Sequence, residues 1–204
     1  LFELINPSPG MTMLDIGIGT GLFTLEFSRR GVSVSGIDPS EKMIAIARKR
    51  GLNAIRGEGE HIPFPDNSFD VVLSMTSMEF SGLPDRFVSE MVRVARPSAA
   101  IVVAVLNLIS PWGIKRRIKG LFKENIFNSA HFYTFWELKR LLWRHLSLVN
   151  VTSSVFFTPD PPGILLERAE AIEHFGKKYF TPFGSLLVGK GIKKQKVGTT
   201  IEGP

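Results

Sequence analysis

Short apolar runs alternate with amphipathic stretches through the first half of the chain, and each change of period marks an element. Pro7, Pro9 and Gly10 make a turn, after which Met11 to Ile16 reads as a short buried strand ended by Gly17. Leu22, Phe23, Leu25 and Phe27 give an apolar stripe to a helix expected over Thr20 to Arg30, with Gly31 as its stop. Val32 to Ile37 predicts a second strand. Ser40 caps a helix to Arg50, with Met43, Ile44 and Ala47 on one face and Gly51 at its end. Asn53 to Arg56 is a short third strand, Ile62 to Ser68 is turn-rich, and Phe69 to Met75 is a fourth strand. A helix over Asp85 to Ala95, closed by Pro97, leads to a fifth strand, Ala99 to Leu106. That strand is apolar on both faces, as a central parallel strand requires. The alternation predicts an α/β fold with a doubly wound sheet and right-handed crossovers.

The alternation breaks after residue 107. Trp112 to Phe122 and Thr134 to Arg144 read as two helices rich in aromatic and basic residues. Leu146 to Phe157 returns to strand character, Ile164 to Phe175 is helical, and Phe183 to Val188 is a last strand before a polar, frayed tail from Lys190. The expectation is one domain over residues 1–204, with 108–145 as a helical insertion after the fifth strand.

Composition narrows the classes. The chain has 204 residues, 44% of them hydrophobic and 22% charged, enough for a buried core and against wholesale disorder. It has no Cys, which removes disulfide scaffolds, thiolate zinc sites and cysteine nucleophiles, and fits a reducing, cytoplasmic setting. No apolar run reaches the ~20 residues of a membrane span. No signal-peptide pattern opens the chain, and its start at Leu1 rather than Met carries the expectation of further residues upstream. The four histidines, His61, His131, His145 and His174, show no metal-ligand spacing. The net charge of +6 is unevenly placed. Residues 1–110 carry 10 basic and 12 acidic groups, whereas residues 111–145 carry 8 and 2. A local cationic surface, suited to an anionic substrate or a lipid headgroup, is one reading; a solvated helix face is the other.

The strongest local signal is Leu14-Asp15-Ile16-Gly17-Ile18-Gly19-Thr20-Gly21, where a strand turns toward a helix. Glycines allow a tight turn and close approach of backbone to a ligand, and a helix N-terminus behind them would offer free N–H groups. Asp38, at the end of the second strand, is placed to accept both hydroxyls of a ribose. Together these predict a nucleoside-containing cofactor at the carboxyl ends of the strands. The dinucleotide fingerprint is G-x-G-x-x-G, but the glycines here follow G-x-G-x-G. Asp15 would repel a pyrophosphate and attract an ammonium. That favours an amino-acid nucleoside such as S-adenosylmethionine over NAD.

On these residues the chain resembles the class I S-adenosylmethionine-dependent methyltransferases, in the small-molecule branch called type 11. Matching stretches are Leu14 to Gly21, Gly36 to Ser40, Gly57-Glu58-Gly59-Glu60, and Ile62 to Val72. The likeness is good over residues 1–107 and loose beyond. It implies a Rossmann-like, mostly parallel seven-stranded sheet whose last strand runs antiparallel. It also implies that Asp15 and the turn through Gly17, Ile18, Gly19 and Gly21 hold the methionine part, and that Asp38 holds the ribose. Glu58 would face the adenine amino group and the Gly59 backbone its ring, while Ser74 and Met75 would lie near the methionine moiety. Pro39 and Met43 complete the implied cofactor-binding set. Ser98-Ala99-Ala100 departs from the usual glycine pair before the fifth strand.

The cofactor would supply the activated methyl group, and its product would be S-adenosylhomocysteine. No catalytic residue is assigned. Glu79, His131 and Tyr133 are the candidates for a base, with an exposed helix start and a loop as the plain alternatives for Glu79 and His131. The insertion is the candidate lid over a small-molecule acceptor, anionic or amphipathic, with Lys115, Arg116, Arg117 and Lys119 facing it. The alternative, favoured for most of its aromatics, is a satellite core holding two helices onto the sheet. Rival readings are a nucleotide-dependent dehydrogenase, an RNA methyltransferase and a non-catalytic cofactor-binding protein. Nucleic acid is disfavoured: Ser74 to Ser77 stands where base-amino methyltransferases of this class carry an Asn/Asp-Pro-Pro-aromatic motif, and cytosine C5 methylation needs a Cys.

Overall fold

The computed structural model describes residues 1–114, 129–155, 174–176, 180–181 and 183–194. Seven strands form one sheet: β1 (Thr12–Ile16), β2 (Ser33–Asp38), β3 (Asn53–Arg56), β4 (Phe69–Met75), β5 (Ala95–Leu106), β6 (Leu146–Ser154) and β7 (Leu186–Lys193). Their order is β3-β2-β1-β4-β5-β7-β6. Strands β1 to β5 pair in parallel, and β7 runs antiparallel to both β5 and β6. The order reverses between β1 and β4, and the crevice at such a reversal is where α/β sheets bind ligands.

Alternate residues of the central strands feed opposite faces. Leu14, Ile16, Val72, Ile101, Val103 and Val105 pack in one core layer; Met13, Val71, Leu73, Val102 and Ala104 pack in the other. The first layer is closed by α4 (Pro84–Val94) and α5 (Phe135–His145), through Phe87, Val88, Met91, Leu138, Leu141 and Leu142. The second is closed by α1 (Phe2–Ile5), α2 (Leu25–Arg29) and α3 (Glu41–Lys49), through Ile5, Phe27, Ile44 and Ala47. Burial on both faces explains the unbroken apolar run from Ala99 to Leu106 within β5. Two caps fix helix starts. Ser40 Oγ accepts the Met43 N–H, and Thr134 and Glu137 form a reciprocal capping box at α5.

Several boundaries differ from the sequence expectation. The helix expected from Thr20 starts only at Leu25, because Gly19 and Gly21 adopt φ of 54° and 71° and hold residues 20–24 in turns. Strand β5 begins at Ala95, before Pro97, since Ala95 already pairs with Phe69 ahead of an irregularity in the ladder. The tail is not frayed at Lys190. β7 runs to Lys193, where the lysine ammonium reaches the carbonyl of Ala95 (2.7 Å) and Asn67 Oδ1 (2.7 Å). Residues 111–114 are helical, and the rest of the helix expected to Phe122 lies outside the described residues, as does 164–173. Of the segment 108–145, α5 packs against α4, β6 and β7, and its Leu138, Leu141 and Leu142 belong to the core.

Candidate cofactor site

The carboxyl end of β1 runs into a turn that only glycine tolerates. Gly17 has φ of 77°, and a Cβ there would sit 2.3 Å from Ser77 Cβ. The turn is tied internally. The N–H groups of Gly17 and Ile18 both donate to the Ile37 carbonyl (2.8 and 3.0 Å), Gly19 N–H donates to Asp38 Oδ2 (2.9 Å), and Gly21 N–H donates to Ile18 O (2.9 Å). With α2 starting four residues later, no helix N-terminus stands at the turn. The free donors expected there for a phosphate are therefore absent among these groups, and the turn presents shape rather than donors. This weighs further against a dinucleotide. Gly17→Ala is expected to cost about 1–3 kcal/mol in stability, from positive φ and the Ser77 clash, read by thermal denaturation.

A cavity of about 680 Å³ opens here, lined by Ile16 of β1 and Gly17 just after it, Asp38 at the end of β2 and Pro39 after it, Gly57 to Glu60 after β3, and Thr76, Ser77, Phe80 to Leu83 and Phe87 on the β4–α4 side. Asp38 is buried and has one oxygen on the Gly19 N–H and the other on the Ser40 N–H (2.8 Å). Each carboxylate oxygen keeps a second acceptor position for a ribose hydroxyl. Gly59 lies so close under Phe87 that a Cβ would meet the ring at 2.0 Å. Ser77 Oγ donates to Ile16 O (2.7 Å) and pairs with Ser74 Oγ (2.7 Å), locking the ends of β1 and β4 together.

Of the twelve residues singled out for the cofactor, Gly17, Asp38, Pro39, Glu58 and Gly59 line this cavity. Ile18 is a packing residue over Gly36, Gly21 abuts Leu52, and Met43 is 41% exposed on α3. Ser74 is fully buried and Met75 half-buried, and neither faces the cavity; Thr76 and Ser77 take that place. Ligands bind beyond strand ends rather than within them, so the wall shifts two residues. Sequence reasoning also missed Glu60, Phe80, Leu83 and Phe87. Thr76 has φ of 51°, rare for a β-branched residue, and is held by its N–H to Ala104 O (2.8 Å).

Asp15 does not line the cavity. It is buried beneath the turn, where Oδ2 accepts a hydrogen bond from Thr24 Oγ1 and Oδ1 has no partner. Burial pushes its carboxyl up to about 6; the Thr24 hydrogen bond opposes this and the Asp38 charge adds to it. An orphaned buried acceptor beside a turn that a Cβ would fill fits a cofactor bearing an ammonium on an adenosine.

The three candidate bases lie together outside this cavity. Glu79 is not an exposed helix start: it is 1% exposed, with Oε1 accepting the Leu106 N–H (2.7 Å) and Oε2 unpartnered. Burial pushes it up to about 7. The Glu79 carbonyl accepts the His131 N–H (2.7 Å), and His131 meets Tyr133 edge-on at 4.6 Å. The Tyr133 hydroxyl is buried without a partner, and burial with the Glu137 and Glu79 charges raises its pKa. His131 is exposed, its Nε2 2.6 Å from Glu137 Oε1.

Residues 14–103 match the family model described as a methyltransferase domain. An uncharacterized protein of Methanocaldococcus jannaschii is 30% identical over 169 residues, covering 82% of this chain and 78% of that one. A phosphatidylethanolamine N-methyltransferase of Cereibacter sphaeroides is 37% identical over 102 residues, 46% of this chain and 50% of that one. This chain spans about half the length, or less, of most curated relatives it matches. Among solved structures, an S-adenosylmethionine-dependent methyltransferase of Thermotoga maritima, described as a possible histamine N-methyltransferase, superposes with a TM-score of 0.74 at 24% identity. It covers 95% of this chain and 87% of that one, and shares the fold. The methyltransferase family model, running from β1 into β5, together with the curated relatives named as methyltransferases, makes this chain a member of the class I S-adenosylmethionine-dependent methyltransferases, type 11.

Proposed function

We propose that the chain methylates a small organic acceptor, one with an apolar part, by in-line displacement at the sulfonium methyl. The observation carrying this reading is the make-up of the cavity: Asp38 and the Gly17 turn on its β2–β1 side, and the apolar Phe80 and Leu83, 49% and 58% exposed, on its β4 side. The chemistry supplied by bound S-adenosylmethionine is an activated methyl that an acceptor lone pair takes as the C–S bond breaks, leaving S-adenosylhomocysteine. The chain's part is to hold and orient. Asp38 would clasp the ribose and Glu58 and Gly59 would border the adenine, while Asp15, beneath the turn and off the cavity wall, would favour the ammonium through its charge alone. Phe87 and Phe80 would shield the bound group from water. Orienting two reactants in this way is worth about 7–11 kcal/mol. Glu79, His131 and Tyr133 lie outside the cavity, so none is assigned as a base.

The relative named for phosphatidylethanolamine supports an amphipathic acceptor, and the cysteine-free composition supports a cytoplasmic setting. The test is a metabolite extract incubated with methyl-labelled cofactor. Label is expected in a small organic compound. Label confined to RNA would overturn the reading, as would tight cofactor binding with no labelled product from extracts of several sources.

A further inference from the structure

The outer face of α5 has no role in the core. Trp136 and Trp143 are seven residues apart, two turns along one face, and are 68% and 59% exposed. The Lys139 ammonium sits between them, 5.9 Å from one indole centroid and 5.2 Å from the other. These residues line a shallow groove of about 410 Å³ with Arg140 and Arg144. The opposite face of the same helix, Leu138, Leu141 and Leu142, is fully satisfied against the sheet. Two exposed indoles are therefore surplus to folding.

Charge on this face is one-sided. Arg144 pairs with Asp85 (3.0 Å), and Glu137 faces His131, but among the described residues no carboxylate pairs with Lys139 or Arg140. The segment that ends in α5, residues 111–145, holds 8 basic and 2 acidic groups. Rings that are apolar in body and polar at the N–H, interleaved with cations, suit the headgroup layer of an anionic bilayer: the indoles enter the interface and the cations meet phosphates.

The patch also adjoins the cofactor cavity. A second groove shares Trp136, Arg140 and Arg144 with the first and reaches Pro84, the neighbour of cavity-lining Leu83. A surface on which α5 rested would thus lie beside the apolar side of the cavity. Among the described residues no helix is long and apolar enough to cross a membrane, and the contact inferred is peripheral.

From this we infer that the outer face of α5, through Trp136, Lys139, Arg140 and Trp143, docks the protein on an anionic lipid surface. This goes beyond the proposed methyl transfer and holds whichever acceptor is used. The test is co-sedimentation of the full chain with phosphatidylcholine vesicles, with and without phosphatidylglycerol. Binding is expected only with phosphatidylglycerol, falling as salt rises, with a blue shift of tryptophan emission. A Trp136→Ala/Trp143→Ala double variant and a Lys139→Glu/Arg140→Glu double variant should each bind vesicles at least tenfold more weakly. Both should bind S-adenosylmethionine as the wild type does. No binding to phosphatidylglycerol vesicles overturns the inference. So does vesicle binding unchanged in both variants, or single-stranded RNA displacing the vesicles from this face. Loss of cofactor binding by the wild type would strike the methyltransferase reading instead, leaving vesicle binding as a separate readout.

Discussion

Replacing Asp38 by Ala is expected to weaken S-adenosylmethionine binding by about 10²–10⁴-fold, the loss of two hydrogen bonds to a charged acceptor at about 1.5–3 kcal/mol each. The effect has a second source. Asp38 Oδ2 holds the Gly19 N–H and Oδ1 holds the Ser40 N–H, so the same substitution loosens the glycine turn and the start of α3. Calorimetric titration gives the affinity, and an unchanged far-ultraviolet spectrum shows the fold retained. Asp38→Asn keeps one acceptor oxygen and should fall between. An Asp38→Ala protein binding within threefold of wild type would remove the ribose role.

Glu79→Gln is expected to raise stability at pH 8 by about 3 kcal/mol, by no more than about 1 kcal/mol at pH 5, and hardly at all at pH 4. The wild-type carboxyl is pushed by burial from 4.5 to about 7. Between those values the folded protein keeps a proton that the unfolded chain has released. Stability therefore falls as pH rises through the window, and the loss is complete above the folded value. Glutamine retains an oxygen for the Leu106 N–H and carries no charge to bury. For a chain of this size the gain corresponds to roughly 6–12 °C in Tm at pH 8. Asp15, raised to about 6, pulls the same way at lower pH and keeps doing so in the variant. Melting curves from pH 5 to pH 8 decide the matter: parallel profiles for the two proteins would show that Glu79 is not the titrating group.

How much was legible in the sequence depended on where the deciding partner lay. Helices α3 and α4 were read within a residue or so, because the cap at Ser40 and the stripe of Phe87, Val88 and Met91 are local signals. That Gly17, Asp38 and Gly59 would meet at one crevice was legible because glycine and acid after a strand leave few alternatives. Glu79 was not. A carboxylate after a strand reads as solvated, and its anchor, the Leu106 N–H, is 27 residues away. Lys190 to Lys193 read as a loose tail by polarity, but position between β5 and β6 overrides it: the ladder with β5 extends to Ile192 opposite Ala100. Thr76 and Ser77 were passed over for Ser74 and Met75 because the apolar run marks the strand, not the point where its successor residues turn outward.

The place of β7 has a consequence for how the molecule is made. It follows every other strand in the sequence, yet it lies between β5 and β6 and supplies all of β6's ladder. During synthesis the β3-β2-β1-β4-β5 half can zip up while the nascent chain is still growing, but β6 emerges with no neighbour to join. Until residues 186–193 clear the ribosome, the hydrophobic edge of β5 stays open to other chains, which is the interval in which a chaperone has most to protect.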